Sequence, residues 1–213
     1  MSEAIWSREI PLEPSHSALL FIDVQNFCCR RDGGEFADLT EDEREAKYGY
    51  FFDRLDAEVI PNMQRLQARF RARSMEVLYT TIESLTKDGR DRSLDYKITG
   101  FNVPKGSWDG RVLDAIAPLD DEIWLPKSSS SVFVSTHIDY LLRNLGVRQL
   151  VISGVITDQC VESAVRDACD LGYLVTLVTD ACATYSRERH DHSLREIAGY
   201  CRQRTTDEVL AEL

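Results

Sequence analysis

The chain has 213 residues, of which 43% are hydrophobic and 29% charged, and its formal net charge at pH 7 is −11. That length and balance fit one globular unit, residues 1–213, with a substantial core. So acidic a chain lacks the basic surface that nucleic acid or an anionic membrane requires, and neither is an expected partner.

The opening stretch shows no basic segment followed by a long apolar one, and no segment reaches the ~18 consecutive apolar residues of a membrane span. The expected location is the cytoplasm. The six cysteines, Cys28, Cys29, Cys160, Cys169, Cys182 and Cys201, form no C-x-x-C pair and read as reduced thiols.

In chain order, ALLFIDV (18–24) reads as a buried strand. YFFDRLDAEVIPNMQRLQARFRARS (50–74) reads as helical from the spacing of Leu55, Val59, Met63, Leu66 and Phe70, with Pro61 either kinking it or beginning its second part. MEVLYTTI (75–82) is a second strand, DGRVLDAIAP (109–118) a short helix stopped by Pro118, and DEIWLP (121–126) a third strand. THIDYLLRNLG (136–146) is a helix with a glycine stop, and QLVISGV (149–155) a strand rich in β-branched residues. DQCVESAVRDACDLG (158–172) is a helix, YLVTLVTDAC (173–182) a strand and RHDHSLREIAGYCRQ (189–203) a helix. A last helix, 205–213, opens on a capping box of Thr205 and Glu208. Strands alternating with helices predict an α/β fold: a doubly wound, mainly parallel sheet of five or six strands with helices on both faces. Two polar stretches, 28–49 and 83–108, escape this scheme. Both follow the C-terminal end of a strand, where open α/β sheets place their sites.

Three residues at predicted strand ends could carry chemistry. Cys160 falls at a helix start, where free N–H groups and positive partial charge lower a thiol pKa and stabilise an oxyanion. From position alone it fits an inert buried thiol as well as a nucleophile. Asp23 ends an apolar run, as a turn cap or as a working carboxylate. Lys127 follows EIWLP; alone it reads as solvated. Together they lie along one sheet edge, where a carboxylate can take a thiol proton and an ammonium can offset negative charge. The charged segment 83–97 reads as a solvated loop or as a substrate-carboxylate clamp through Arg90 or Arg92, with Glu83 nearby. Phe27, Trp108 and Phe133 are candidate apolar walls or ordinary core aromatics.

LLFIDVQNFC, LPKSSSSVF and SGVITDQCVESAVRDACDLGY resemble, in this order and over about residues 17 to 185, the isochorismatase-like cysteine hydrolases. The resemblance implies a catalytic triad of Asp23, Lys127 and Cys160. It also implies a non-proline cis peptide between Val155 and Ile156 and an oxyanion hole from the backbone N–H groups of Ile156 and Cys160. PKGSWDGRVLD (104–114) is similar to the Lys-Gly-Ser-Trp segment of the ureidoacrylate amidohydrolase branch. Nicotinamidases of the family hold a metal through Asp-x-His and a further histidine after the second strand; here that stretch has none, and His16, His137, His190 and His192 lie elsewhere. No metal and no cofactor are therefore expected, and His190 and His192 read as exposed polar residues of a helix. Isochorismatases proper need no cysteine, so Cys160 points away from that subclass. The expected activity is amide or carbamoyl C–N hydrolysis of a small molecule through a thioester, in a homo-oligomer, dimer or tetramer. The alternatives are a family hydrolase acting on an ether or C–C bond, or a non-catalytic metabolite binder.

Overall fold

The computed structural model describes residues 7–213. Six strands form one sheet: β1 (Ser17–Ile22), β2 (Glu76–Ile82), β3 (Ile123–Lys127), β4 (Gln149–Val155), β5 (Leu174–Ala183) and β6 (Arg202–Arg204). Their order is β3-β2-β1-β4-β5-β6 and all pairs are parallel. The helices are α1 (Asn26–Cys29), α2 (Glu41–Arg54), α3 (Ile60–Ala72), α4 (Leu94–Thr99), α5 (Val132–Ser135), α6 (Ile138–Asn144), α7 (Glu162–Asp170), α8 (Arg187–Ile197) and α9 (Thr206–Glu212). Single π-helical turns, Leu55–Val59 and Thr157–Val161, lead into α3 and α7.

Every residue of β1 and β4 is buried, as expected for central parallel strands covered on both faces. Alternation along β1 splits the core in two. Leu19 and Phe21 pack with Met63, Leu66 and Phe70 of α3 and Val209 of α9. Ala18, Leu20 and Ile22 pack with Ile138 and Leu142 of α6 and with Val161, Ala164, Val165 and Ala168 around α7. The chain thus winds to one side of β1 through β2 and β3, then returns to its other side with β4. The reversal leaves a crevice at the C-terminal ends of β1 and β4, the usual ligand position in such sheets.

Gly154 makes the close pairing of those two strands possible. It pairs with Ile22, has φ 142°, and a Cβ there would lie 2.2 Å from the Ile22 carbonyl oxygen. No other residue type fits that approach.

Three sequence expectations need correction, and the alternative left open at Pro61 is decided. Segment 28–49 is not all loop, because α2 begins at Glu41 behind a capping box of Thr40 and Glu43; its first turns, EDEREAK, are charged and carry no apolar period. Pro61 falls in the first turn of α3, after the π-helical turn, and so begins the second part of that helical run. Residues 109–118 form no α-helix: two 3-10 turns, Trp108–Gly110 and Asp114–Ile116, flank Val112, which bridges to Gln25. The helix read over 189–203 spans only Arg187–Ile197, and Arg202–Arg204 becomes the edge strand β6. Three polar residues on an edge carry almost no strand signal.

Candidate active site

Asp23 is the first residue beyond β1, and its backbone is left-handed, φ 55°. Aspartate tolerates that region better than most residues. The turn is pinned on both sides: the Asp23 N–H donates to Thr80 O (3.0 Å) and its carbonyl accepts from the Gln25 N–H (2.9 Å). The Gln25 side-chain amide in turn donates to Ile82 O and Asp109 O, at 2.9 and 3.0 Å. The chain therefore leaves the sheet abruptly and the carboxylate points along the sheet edge, where Oδ1 accepts from Thr80 Oγ1 at 3.0 Å.

Lys127 ends β3, two strands from β1. Two strand spacings are roughly 10 Å, a distance that needs a long side chain. The lysine stem crosses the end of β2 and sets Nζ 2.8 Å from Asp23 Oδ2, with both side chains essentially buried (0% and 1% exposed). Nζ also donates to Ser129 O (2.9 Å), Tyr96 Oη (3.3 Å) and Cys160 Sγ (3.4 Å). Burial opposes the ammonium, but Asp23, Cys160 and Tyr96 outweigh it and hold the Lys127 pKa above its ordinary value. The lysine is a fixed cation.

Cys160 sits in the π-helical turn after β4, 6% exposed. The Val155–Ile156 peptide bond is cis, and the Ile156 N–H donates to no backbone acceptor among the described residues. Burial pushes the Cys160 thiol up to about 11, with Lys127 opposing and Asp23 adding to the rise. This corrects the expectation of a thiol lowered by a helix start: desolvation outweighs the local dipole. The resting thiol is protonated at neutral pH. Asp23 Oδ2, paired with Lys127 Nζ at 2.8 Å, is the carboxylate oxygen of this buried cluster. A thiolate absorbance titration, wild type minus Cys160→Ser, is expected to give a midpoint of about 11; a midpoint at or below that of an ordinary exposed thiol contradicts this environment.

These side chains open onto a cavity of about 380 Å³. Ile82, Val155, Ile156 and Phe101 supply apolar wall, and Tyr96, Gln159, Ser130 and Glu35 polar wall. Tyr96 contacts the reactive centre directly, its hydroxyl 3.8 Å from Cys160 Sγ. It was hidden in the charged segment; Ser93 caps the short helix α4 that carries it and turns its ring inward. Glu35, on a turn inside 28–49, was missed as well. His190 is buried rather than exposed, with Nδ1 3.0 Å from Thr157 Oγ1 in the turn that carries Cys160. Burial and then Arg54 lower it to about 4, so it stays neutral there. His192 is exposed, as expected.

The other sequence candidates stand apart from the cavity. Arg90 pairs with its neighbour Asp88 at 3.0 Å in solvent. Arg92 spends its guanidinium on Gly89 O (2.9 Å) and Phe101 O (2.6 Å). Glu83 is buried and accepts the Gly106 N–H at 2.6 Å, tethering the following loop. Phe27 stands behind the wall, edge-on to Phe101 at 5.6 Å. Trp108 lies on the surface beneath the Arg30 guanidinium, 5.6 Å away. Phe133 packs toward Tyr173 on the α7 side, 6.1 Å between ring centres. Among the described residues no three His, Cys, Asp or Glu side chains converge as a metal-binding group.

Comparison with known proteins agrees with this architecture. The Isochorismatase domain profile matches residues 17–208. A ureidoacrylate amidohydrolase, RutB, of Rhizobium rhizogenes strain K84 is 30% identical over 189 residues, spanning 81% of this chain and 72% of that protein. The crystal structure of a cysteine hydrolase from Pseudomonas syringae pv. phaseolicola 1448A superposes with a TM-score of 0.82 at 23% identity, covering 100% of this chain and 98% of that one. The N-carbamoylsarcosine amidase of Thermoplasma acidophilum shares the fold at a TM-score of 0.67 and 23% identity, covering 90% and 97% of the two chains. With its domain match, its curated relative and its sheet order, the chain belongs to the isochorismatase family of hydrolases.

Proposed function

We propose that this chain is a cysteine amidohydrolase that cleaves an amide or carbamoyl C–N bond of a small molecule through a thioester. The observation that carries this reading is the buried cluster at the cavity end, a carboxylate and a thiol both against one ammonium, 2.8 and 3.4 Å away. A structural cysteine needs neither partner.

In the mechanism, Asp23 Oδ2 takes the thiol proton and the thiolate attacks the carbonyl carbon. The backbone N–H groups of Ile156 and Cys160 receive the developing oxyanion. Lys127, fixed by its carbonyl and carboxylate partners, offsets the negative charge shared by Asp23 and the sulfur, the role that a cation must fill in this pocket. The intermediate collapses: the C–N bond breaks, and the nitrogen leaves as ammonia or an amine with the proton from Asp23. Water then attacks the thioester as Asp23 accepts its proton. The C–S bond breaks, the acid or carbamate departs and the proton returns to sulfur. The Tyr96 hydroxyl lies 3.8 Å from this sulfur, beside the reaction path. The RutB relative supports a C–N bond as the target, since its name is that of an amidohydrolase.

Product analysis over a panel of amides, ureas and carbamoyl compounds tests this reading. Ammonia or amine is expected in one-to-one ratio with substrate consumed. Turnover that releases neither assigns the chain to the ether- or C–C-cleaving alternative.

A further inference from the structure

Cys160 and its partners fill one end of the cavity, and the rest of the wall decides what can enter. Three carboxylates face it, Asp23, Glu35 and Asp95, and among the described residues no lysine, arginine or histidine lines it. The nearby ammonium of Lys127 is buried and already engaged by Asp23, Ser129, Tyr96 and Cys160. Arg90 and Arg92 are spent on Asp88 and on backbone carbonyls.

Glu35 is firmly built into this wall. Its 3-10 turn, Gly34–Phe36, is anchored by Phe36, fully buried against Tyr48 and Phe52 at ring distances of 5.0 and 5.1 Å. Glu35 Oε1 accepts from the Tyr185 hydroxyl. Tyr185 is held edge-on by Tyr48 and Phe51 and lies under the Arg189 guanidinium. Glu35 is itself one of the residues that line the cavity. Asp23 Oδ2, at the cavity end, is taken up by Lys127 Nζ at 2.8 Å.

We propose that this cavity selects amides or ureas whose far end is cationic, or neutral and rich in N–H donors, with Glu35 as the acceptor that recognises that end, and discriminates against substrates bearing a carboxylate. The substrate class rests on the amidohydrolase reading for its reacting group alone. A carboxylate entering here would lose its hydration beside the Glu35 and Asp95 carboxyl groups and meet no free cation among the described residues. An ammonium or amide N–H would meet the Glu35 carboxyl group. Burial pushes the Glu35 carboxyl up to about 7, against the Tyr185 hydrogen bond, so a cationic ligand would complete its ionisation. The chain's net charge of −11 steers ligands with the same preference.

The test is calorimetric binding to the full-length Cys160→Ala variant, in which turnover is only residual. Three probes of equal length differ only at the far end: 3-ureidopropylamine, 3-ureidopropionamide and 3-ureidopropionate. The first two are expected to bind at least about tenfold more tightly than the third, as one charged hydrogen bond warrants. Adding Glu35→Gln should remove most of the preference for the amine, whereas Glu35→Asp should keep it; a merely structural role would weaken all three probes alike. Tightest binding by 3-ureidopropionate, or an unchanged preference in a folded Glu35→Gln variant, overturns the assignment. Ammonia release by the wild type is scored separately. If the charge preference holds and no amide or urea is hydrolysed, the amidohydrolase reading falls and the cavity assignment stands.

Discussion

Replacing Cys160 with alanine is expected to lower kcat by about 10³-fold or more while leaving the melting temperature within a few degrees of wild type. The reason is the separation of tasks at the site. Sγ is the one atom in the cluster that can form the bond to carbon. Asp23 is paired with Lys127, and the tyrosine beside it is held neutral by burial. Without the sulfur, the oxyanion donors and the cavity remain, so residual hydrolysis by water is the expected floor. Structurally the loss is slight, because alanine removes only a small, weakly bonded atom from the cavity wall. Cys160→Ser is the sharper comparison. It retains the shape, but its hydroxyl is far harder to deprotonate than a thiol. Its rate should fall nearly as far. An ammonia-release assay with the best amide of the panel, beside circular dichroism of each variant, reads both parts.

Lys127→Met is expected to lose activity and stability together. The substitution keeps the stem volume and deletes the charge, leaving Asp23 buried at 1% exposure with no cation. Breaking a buried pair from one side costs about 3–5 kcal/mol, which in a domain of this size is a melting-temperature drop of roughly 6–20 °C. Proton transfer from the thiol to Asp23 also loses the ammonium that stabilises the separated charges, and kcat should fall about 10²-fold or more. The double variant Asp23→Asn with Lys127→Met removes both charges. It should recover much of the stability lost by the single variant and none of the activity. Thermal melts and ammonia release on the three proteins separate the structural from the chemical part of the pair. Equal destabilisation of the single and double variants would show that packing, not charge, dominates.

How far the chain could be read without coordinates depended on where each residue's signal lay. β4 was legible to the residue, because QLVISGV is buried on both faces and stops at a turn. Asp23, Lys127 and Cys160 were legible as strand ends, and the parallel sheet brings those ends together at the β1/β4 crevice. The family resemblance, carried by LLFIDVQ, LPKSSSS and SGVITDQC, agrees with the domain match. What failed was of another kind. Tyr96 and Glu35 reach the cavity from segments whose hydrophobic pattern is broken by charge, so no period marks which side chain turns inward. His190 is buried by contacts from Thr157 and Arg54, remote in sequence. The thiol pKa was misjudged because a sequence shows a helix start but not the desolvation around it. Arg90 and Arg92 were plausible by charge alone, and only their hydrogen bonds reveal that they are spent.

The central claim is that Cys160 carries the acyl group during turnover. Acid quenching of the enzyme while it hydrolyses its best amide, followed by intact mass and peptide mapping, tests it most directly. The account predicts a mass increase equal to the acyl fragment, confined to the peptide that contains Cys160 and absent from Cys160→Ser. Undiminished turnover in Cys160→Ser, with no acylated Cys160 in the wild type, would contradict it.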